Sequence, residues 1–169
     1  MRPLILLGAC VLLGLTGCAG YHLGPVNGAV AGARSVQVNF FQNQTREPRL
    51  VEAVNHSLRR TLQQDGTFRL DTHGEGDIVV NGTITRFGRS GVSFQPGDVL
   101  TVRDYALSLT ARITAVERST GKVLLDTEVA GQTSIRAGND LTSAERQAMP
   151  LVAEELAKQA TILLVEGKW

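Results

Sequence analysis

Residues 102–116, VRDYALSLTARITAV, alternate with period two. Tyr105, Leu107, Leu109, Ala111, Ile113 and Ala115 take the odd positions, and Asp104, Ala106, Ser108, Thr110, Arg112 and Thr114 the even ones. Such alternation gives a strand one apolar face and one polar face. Weaker versions of the pattern recur. In Arg34–Phe41 the residues Val36, Val38 and Phe40 share a face, and in Asp77–Phe87 the residues Ile78, Val80 and Ile84 do. Val123–Ile135 sets Val123, Leu125, Val129 and Ile135 against Asp126, Glu128, Gln132, Ser134 and Arg136. Phe68–Asp71 is a further short strand. Asn43-Gln44-Thr45 reads as a turn, Thr72–Gly76 as a polar loop and Arg118–Lys122 as a hairpin turn. Gly88–Gly97 holds three glycines and a proline and reads as a long hairpin loop or a bulged tip.

Two segments carry the helical period instead. Leu50, Val54, Leu58 and Leu62 recur at i+4 with Val51 beside them, which predicts an amphipathic helix from about Glu47 to Gln64. Pro48 suits its first turn and Gly66 its stop. The second helix starts near Thr142, with Glu145 three residues on as a capping box, and ends near Glu166. Its stripe is Met149, Val152, Leu156, Ala160 and Leu163, and Pro150 marks a kink or a second start. The order is β-α-β-β-β-β-α. This predicts an α+β fold with two helices packed on one face of a four- to five-stranded mixed sheet. Two helices cannot cover both faces. The other face, lined with Ser, Thr, Gln, Asp and Arg, either stands in water or meets another polar surface.

The N-terminus has a different character. Arg2 precedes an apolar run, Leu4–Leu15, of 12 residues. A membrane span needs about 20, so the run reads as a secretory signal peptide. It ends in Leu15-Thr16-Gly17-Cys18, which resembles the bacterial lipobox. In such signals the cysteine becomes the first mature residue and carries a diacylglycerol and an acyl chain, a firm anchor. Residues 1–17 are therefore read as a lipoprotein signal peptide, with palmitate-type acylation at Cys18. Residues 18–33, rich in Gly and Ala, are read as a lipidated flexible tether, and 34–169 as a single domain. Ala19 rather than Asp after Cys18 points to the outer membrane, on its periplasmic side.

Composition narrows the chemistry. Cys10 leaves with the signal and Cys18 is acylated, so neither a disulfide nor a thiolate metal site is expected. The whole chain has 17 Lys+Arg and 16 Asp+Glu; losing Arg2 leaves 16 against 16. A neutral chain does not suggest a nucleic-acid partner. His22, His56 and His73 lack the spacing of a zinc site. Gly74-Glu75-Gly76-Asp77 lacks that of a calcium loop. GxSxG, Walker A and GxGxxG motifs are absent. These absences predict a non-enzyme without a cofactor other than the lipid on Cys18. Fourteen of the basic residues are arginines, whose planar fork suits phosphate and carboxylate. Arg86 and Arg89 flank the 88–97 segment, Arg103 and Arg112 lie on the long strand, and Arg136 ends the returning one.

Several weak motifs then fall in a recognisable order. Cys18-Ala19-Gly20-Tyr21-His22-Leu23, the block Ser35–Pro48 (SVQVNFFQNQTREP), Asp77–Arg86, Tyr105–Thr114 and Ser119–Leu124 (STGKVL) together resemble the lipopolysaccharide-assembly lipoprotein family LptE. The resemblance implies a Gram-negative outer-membrane lipoprotein of lipopolysaccharide transport. It would plug the large β-barrel LptD, support that barrel's assembly and help insert lipopolysaccharide into the outer leaflet. Porin-type barrels are polar inside, which would suit Ser108, Thr110, Arg112, Thr114, Gln132 and Ser134 as the barrel-contacting face. By position, Arg103 and Arg136, then Arg89, are the residues the resemblance offers to lipopolysaccharide. A second reading is a lipoprotein activator of a periplasmic peptidoglycan synthase, although such proteins use longer tethers.

Overall fold

The structure, a computed structural model, describes residues 30–136 and 140–167. The signal peptide, Cys18 and most of the tether lie outside the described residues. The elements are β1 (Ser35–Val38), β2 (Gln42–Asn43), α1 (Arg49–Asp65), β3 (Arg69–Asp71), β4 (Ile78–Gln95), β5 (Asp98–Glu117), β6 (Val123–Arg136) and α2 (Leu141–Glu166). They form one mixed sheet in the order β3-β1-β4-β5-β6, with β2 also pairing β4. The pairs among β1, β2, β3 and β4 are parallel; β4–β5 and β5–β6 are antiparallel. The predicted α+β class and element order hold.

The parity of β5 is realised. Leu107, Leu109, Ala111, Ile113 and Ala115 are fully buried, while Ser108, Thr110 and Thr114 are half-buried and Arg112 is exposed. The buried side faces both helices. Leu50, Val54, Leu58 and Leu62 of α1 join β-strand residues and Val152, Leu156, Ala160 and Leu164 of α2 in one core. Burying each Leu or Val contributes about 1.5–3 kcal/mol. An N-cap contributes about 1 kcal/mol, and α1 lacks a side-chain cap bond at Pro48. Packing rather than capping therefore holds α1. Gly66 ends it as expected, in the left-handed region (φ 75°), with its N–H on the Leu62 carbonyl.

Several local expectations are corrected. The parity of the first strand breaks after Val38: Phe40 is 71% exposed and Phe41 is buried. Phe41 turns in because β4 offers a gap at Gly82, where any Cβ would collide with its ring. Phe40 lies instead under the Arg59 guanidinium, 4.9 Å from the ring centre. Residues 88–97 are not a loop. β4 runs to Gln95 and β5 begins at Asp98, with register shifts near Ile84 and from Gly91 onward. Gly88 is regularly paired with Ser108, Gly91 borders a bulge and the turn is only Pro96-Gly97, which is the bulged tip rather than the long loop. Val123 is exposed because the register shifts between Ala115 and Val116, which leaves Leu124 and Leu125 to pack on the core. Leu163 is also exposed; the stripe of α2 continues from Ala160 to Leu164, at i+4. The cap of α2 is Asp140, whose carboxylate accepts from the Ser143 N–H, rather than a box from Thr142 to Glu145. The helix runs through Pro150 as one element.

At the opposite end of the sheet Asp77 pins β4 to β1. Its carboxylate accepts from the Ser35 N–H and hydroxyl, both at 2.7 Å. Those bonds, the backbone one first, hold its pKa below the ordinary carboxylate value.

The tightest contact between layers is at Gly131 of β6. A Cβ there would lie 2.5 Å from the Val152 carbonyl oxygen and from the Leu156 nitrogen. Both are helix backbone and cannot rotate away. Gly131→Ala is expected to destabilise the protein by about 1–3 kcal/mol, as overpacked cores do, and Gly131→Val by more. Urea unfolding followed by circular dichroism measures this; midpoints equal to that of the parent would contradict the packing described.

Candidate functional site

The sheet face turned away from the helices has no element over it among the described residues. Cross-strand pairs build it row by row: Ser108 with Gln132, Thr110 with Ala130, Arg112 with Glu128, Thr114 with Asp126. Toward β4 the same β5 residues meet Gly88, Arg86, Thr83 and Asn81. Ser134 opposes Ala106. All six residues expected to line a polar face therefore share this one. One strong pair crosses it diagonally. Arg112 donates from Nε and Nη2 to the two Asp126 oxygens, each at 2.8 Å. The bond depresses the Asp126 pKa and raises that of Arg112. Both side chains are open to solvent, so the pair organises the surface more than it stabilises the fold.

At one end of this face Asp104 gathers the arginines. Arg103 Nε donates to its Oδ2 at 2.8 Å and Arg136 Nε to its Oδ1 at 3.2 Å. The Ser93 hydroxyl donates a short bond to Oδ2. These donors, Ser93 first, then Arg103 and Arg136, hold the Asp104 pKa down to about 2. Two cations share one carboxylate, so the trio keeps a net charge of +1. Each arginine is held through Nε alone, and the Nη edges of both make no hydrogen bond among the described residues. Paired Nη donors suit the oxygens of phosphate or carboxylate. Past this point β4 and β5 continue as a two-stranded ribbon that exposes Val92, Phe94 and Leu100.

The structure thus brings Arg103 and Arg136 together and leaves Arg89 apart. Arg89 stands opposite Leu107 in register, on the helix side. Its Nη1 donates to Glu145 of α2 at 2.7 Å, and its guanidinium lies 6.0 Å from the Tyr105 ring centre. Sequence reasoning missed Asp104 as the organiser. Its adjacency to Arg103 was visible, but the register that brings it to Arg136 was not. A cluster of His, Cys, Asp or Glu able to hold a metal is absent among the described residues.

A family model described as Lipopolysaccharide-assembly, LptE, matches residues 33–164. The chain belongs to the LptE family. Membership places it among non-enzymatic lipoproteins that associate with the lipopolysaccharide-transport machinery. None of the curated proteins matches the sequence. Solved structures share the LptE-like fold at low identity. Protein XCC0632 from Xanthomonas campestris superposes with a TM-score of 0.59 at 10% identity, over 86% of this chain and 91% of that one. Protein CT253 from Chlamydia trachomatis gives 0.58 at 12%, over 79% and 97%. A minor lipoprotein from Acinetobacter baumannii gives 0.52 at 13%, over 79% and 93%.

The depressed Asp104 pKa has a signed consequence. Its folded value of about 2 lies below the ordinary 3.8. The stability it contributes is complete above about pH 4 and is lost as pH falls through 2. An Asp104→Asn variant should be less stable than the parent at pH 6, with the difference shrinking between pH 4 and 2. Chemical unfolding at stepped pH measures it; a constant difference across that window would show that Asp104 is not held by these donors.

Proposed function

We propose that this LptE-family chain is an outer-membrane lipoprotein that plugs an LptD-type β-barrel and supports its assembly. In this reading residues 1–17 are removed, Cys18 carries the diacylglycerol and acyl chain, and residues 18–33 tether a single domain, 34–169, on the periplasmic side. The sheet face of Ser108, Thr110, Arg112, Thr114, Gln132 and Ser134 contacts the barrel interior. Arg103 and Arg136 offer their Nη edges to lipopolysaccharide phosphates and help deliver that lipid to the outer leaflet. Arg89 would exchange Glu145 for a phosphate to take part.

The observation that carries the reading is the polar, uncovered sheet face. Such a face loses little by leaving water if the surface it meets offers hydrogen bonds in return, as a porin-type lumen does. An apolar partner would strand Arg112, Asp126 and Glu128 at a cost of several kcal/mol.

Affinity purification of the full-length protein from detergent-solubilised outer membrane, read by mass spectrometry, tests the barrel reading. A large β-barrel recovered near one to one is expected. Recovery of a peptidoglycan synthase, or of no barrel, would contradict it. Arg103→Glu with Arg136→Glu should weaken lipopolysaccharide binding roughly tenfold or more, by loss of charge-assisted bonds, while circular dichroism shows a folded protein whose melting temperature falls only as far as loss of the Asp104 donors lowers it. Unchanged binding would remove these two residues from the role.

A further inference from the structure

β4 has an open edge beside the barrel-facing surface, and Arg86, opposite Thr110, borders both. β1 and then β2 pair with it along one side, as far as Ile84. The last bond of that lane runs from the Gln44 N–H to the Ile84 carbonyl, at 2.9 Å. The chain is then steered away. The Asn43 carboxamide oxygen accepts from the Thr45 N–H and hydroxyl, and its NH2 donates to the Glu47 carbonyl. From Thr85 to Gln95 that side of β4 pairs with no strand among the described residues. Charged side chains, proline and bulges commonly blunt an exposed edge; here the bulges fall at Thr85 and beyond Gly91, which leaves Arg86–Gly91 as a regular stretch without lysine or proline.

A cleft of about 410 Å³ opens where β2 stops. Its lining includes Gln44 and also Arg46, Arg86 and Arg89 together with Glu47 and Glu145, a net charge of +1. Arg89 is neutralised by Glu145. Arg46 and Arg86 are exposed and make no ion pair among the described residues. Two arginines outside any ion pair, with Glu47 as the remaining carboxylate of the cleft, thus stand beside an open row of backbone donors and acceptors.

We propose that this edge receives an extended, acidic polypeptide segment of a partner, which adds as a strand to β4 in the lane that β2 vacates. An added strand satisfies the alternating N–H and C=O groups of the edge, and its carboxylates meet Arg46 and Arg86. A phosphate could answer the arginines but not the backbone row. The inference rests on the barrel reading only for the partner's identity: there, the segment is part of the barrel protein.

Site-specific photo-cross-linking in cells tests it. Benzoylphenylalanine replaces Gln44 at the cleft or, separately, Gln132 on the sheet face, and adducts are mapped to peptides by mass spectrometry. A Gln44 adduct on an acidic, extended segment of an identified protein is expected. It should be lost on Arg46→Glu with Arg86→Glu, while the Gln132 adduct persists. If that segment lies in a protein other than a β-barrel, the edge assignment stands and the barrel reading falls. No adduct at Gln44, an adduct only on glycolipid or on residues 18–29 of the same chain, or one indifferent to the charge reversals, overturns the edge assignment. The Gln132 adduct reports on the barrel independently of that result.

Discussion

Packing of both helices against a single face of the sheet is the constraint on which the rest of the molecule depends. α2 comes so close to β6 that only glycine fits at position 131, against helix backbone. α1 closes the other half of the same layer through Leu50, Val54, Leu58 and Leu62. Among the described residues no helix remains for the opposite face, so its side chains must be ones that tolerate water or a polar partner. The same layer organises the ends of the sheet. Asp77 ties the start of β4 to β1, and Asp104 ties β5 to the end of β6 through Arg136.

That two-layer plan could be read in the sequence wherever one residue's neighbours decided its side. The strict alternation of β5 and the i+4 stripe of α1 are local periods, and both survived folding. What failed depended on contacts distant in sequence. Phe40 and Phe41 exchanged faces because a gap at Gly82, some forty residues on, accepts the second ring. Val123 left the core because a register shift against β5 turned in Leu124 beside the expected Leu125. Residues 88–97 were ambiguous because glycines that suit a loop also suit a bulged ribbon. The arginines followed the same rule. Their number and rough location were visible, but the pairing of Arg103 and Arg136 through Asp104 is a property of strand register. The distance between Arg89 and that pair follows from parity after a bulge. The cleft beside Arg46 and Arg86 is still less legible, since it exists only because a two-residue strand stops early.

Three surfaces therefore divide the molecule. The helical layer stabilises it. The polar sheet face is suited to a broad hydrogen-bonding contact. The far end of the β4–β5 hairpin combines free guanidinium edges with exposed Val92, Phe94 and Leu100, a composition that fits an amphiphile with an anionic head. Membership of the LptE family gives these features a common setting in lipopolysaccharide assembly, in which the polar sheet face is the surface proposed to meet a barrel.

The most direct measurement is therefore thiol accessibility on that face in intact outer membranes. Cys10 and Cys18 are the only cysteines of the chain, so in an acylated mature protein a cysteine introduced at Thr114 or Gln132 would be its sole free thiol. The account predicts that a water-soluble maleimide labels both positions in the purified protein and neither in the membrane. Equal labelling rates in the two settings would mean that the face stays in water, and would contradict the account.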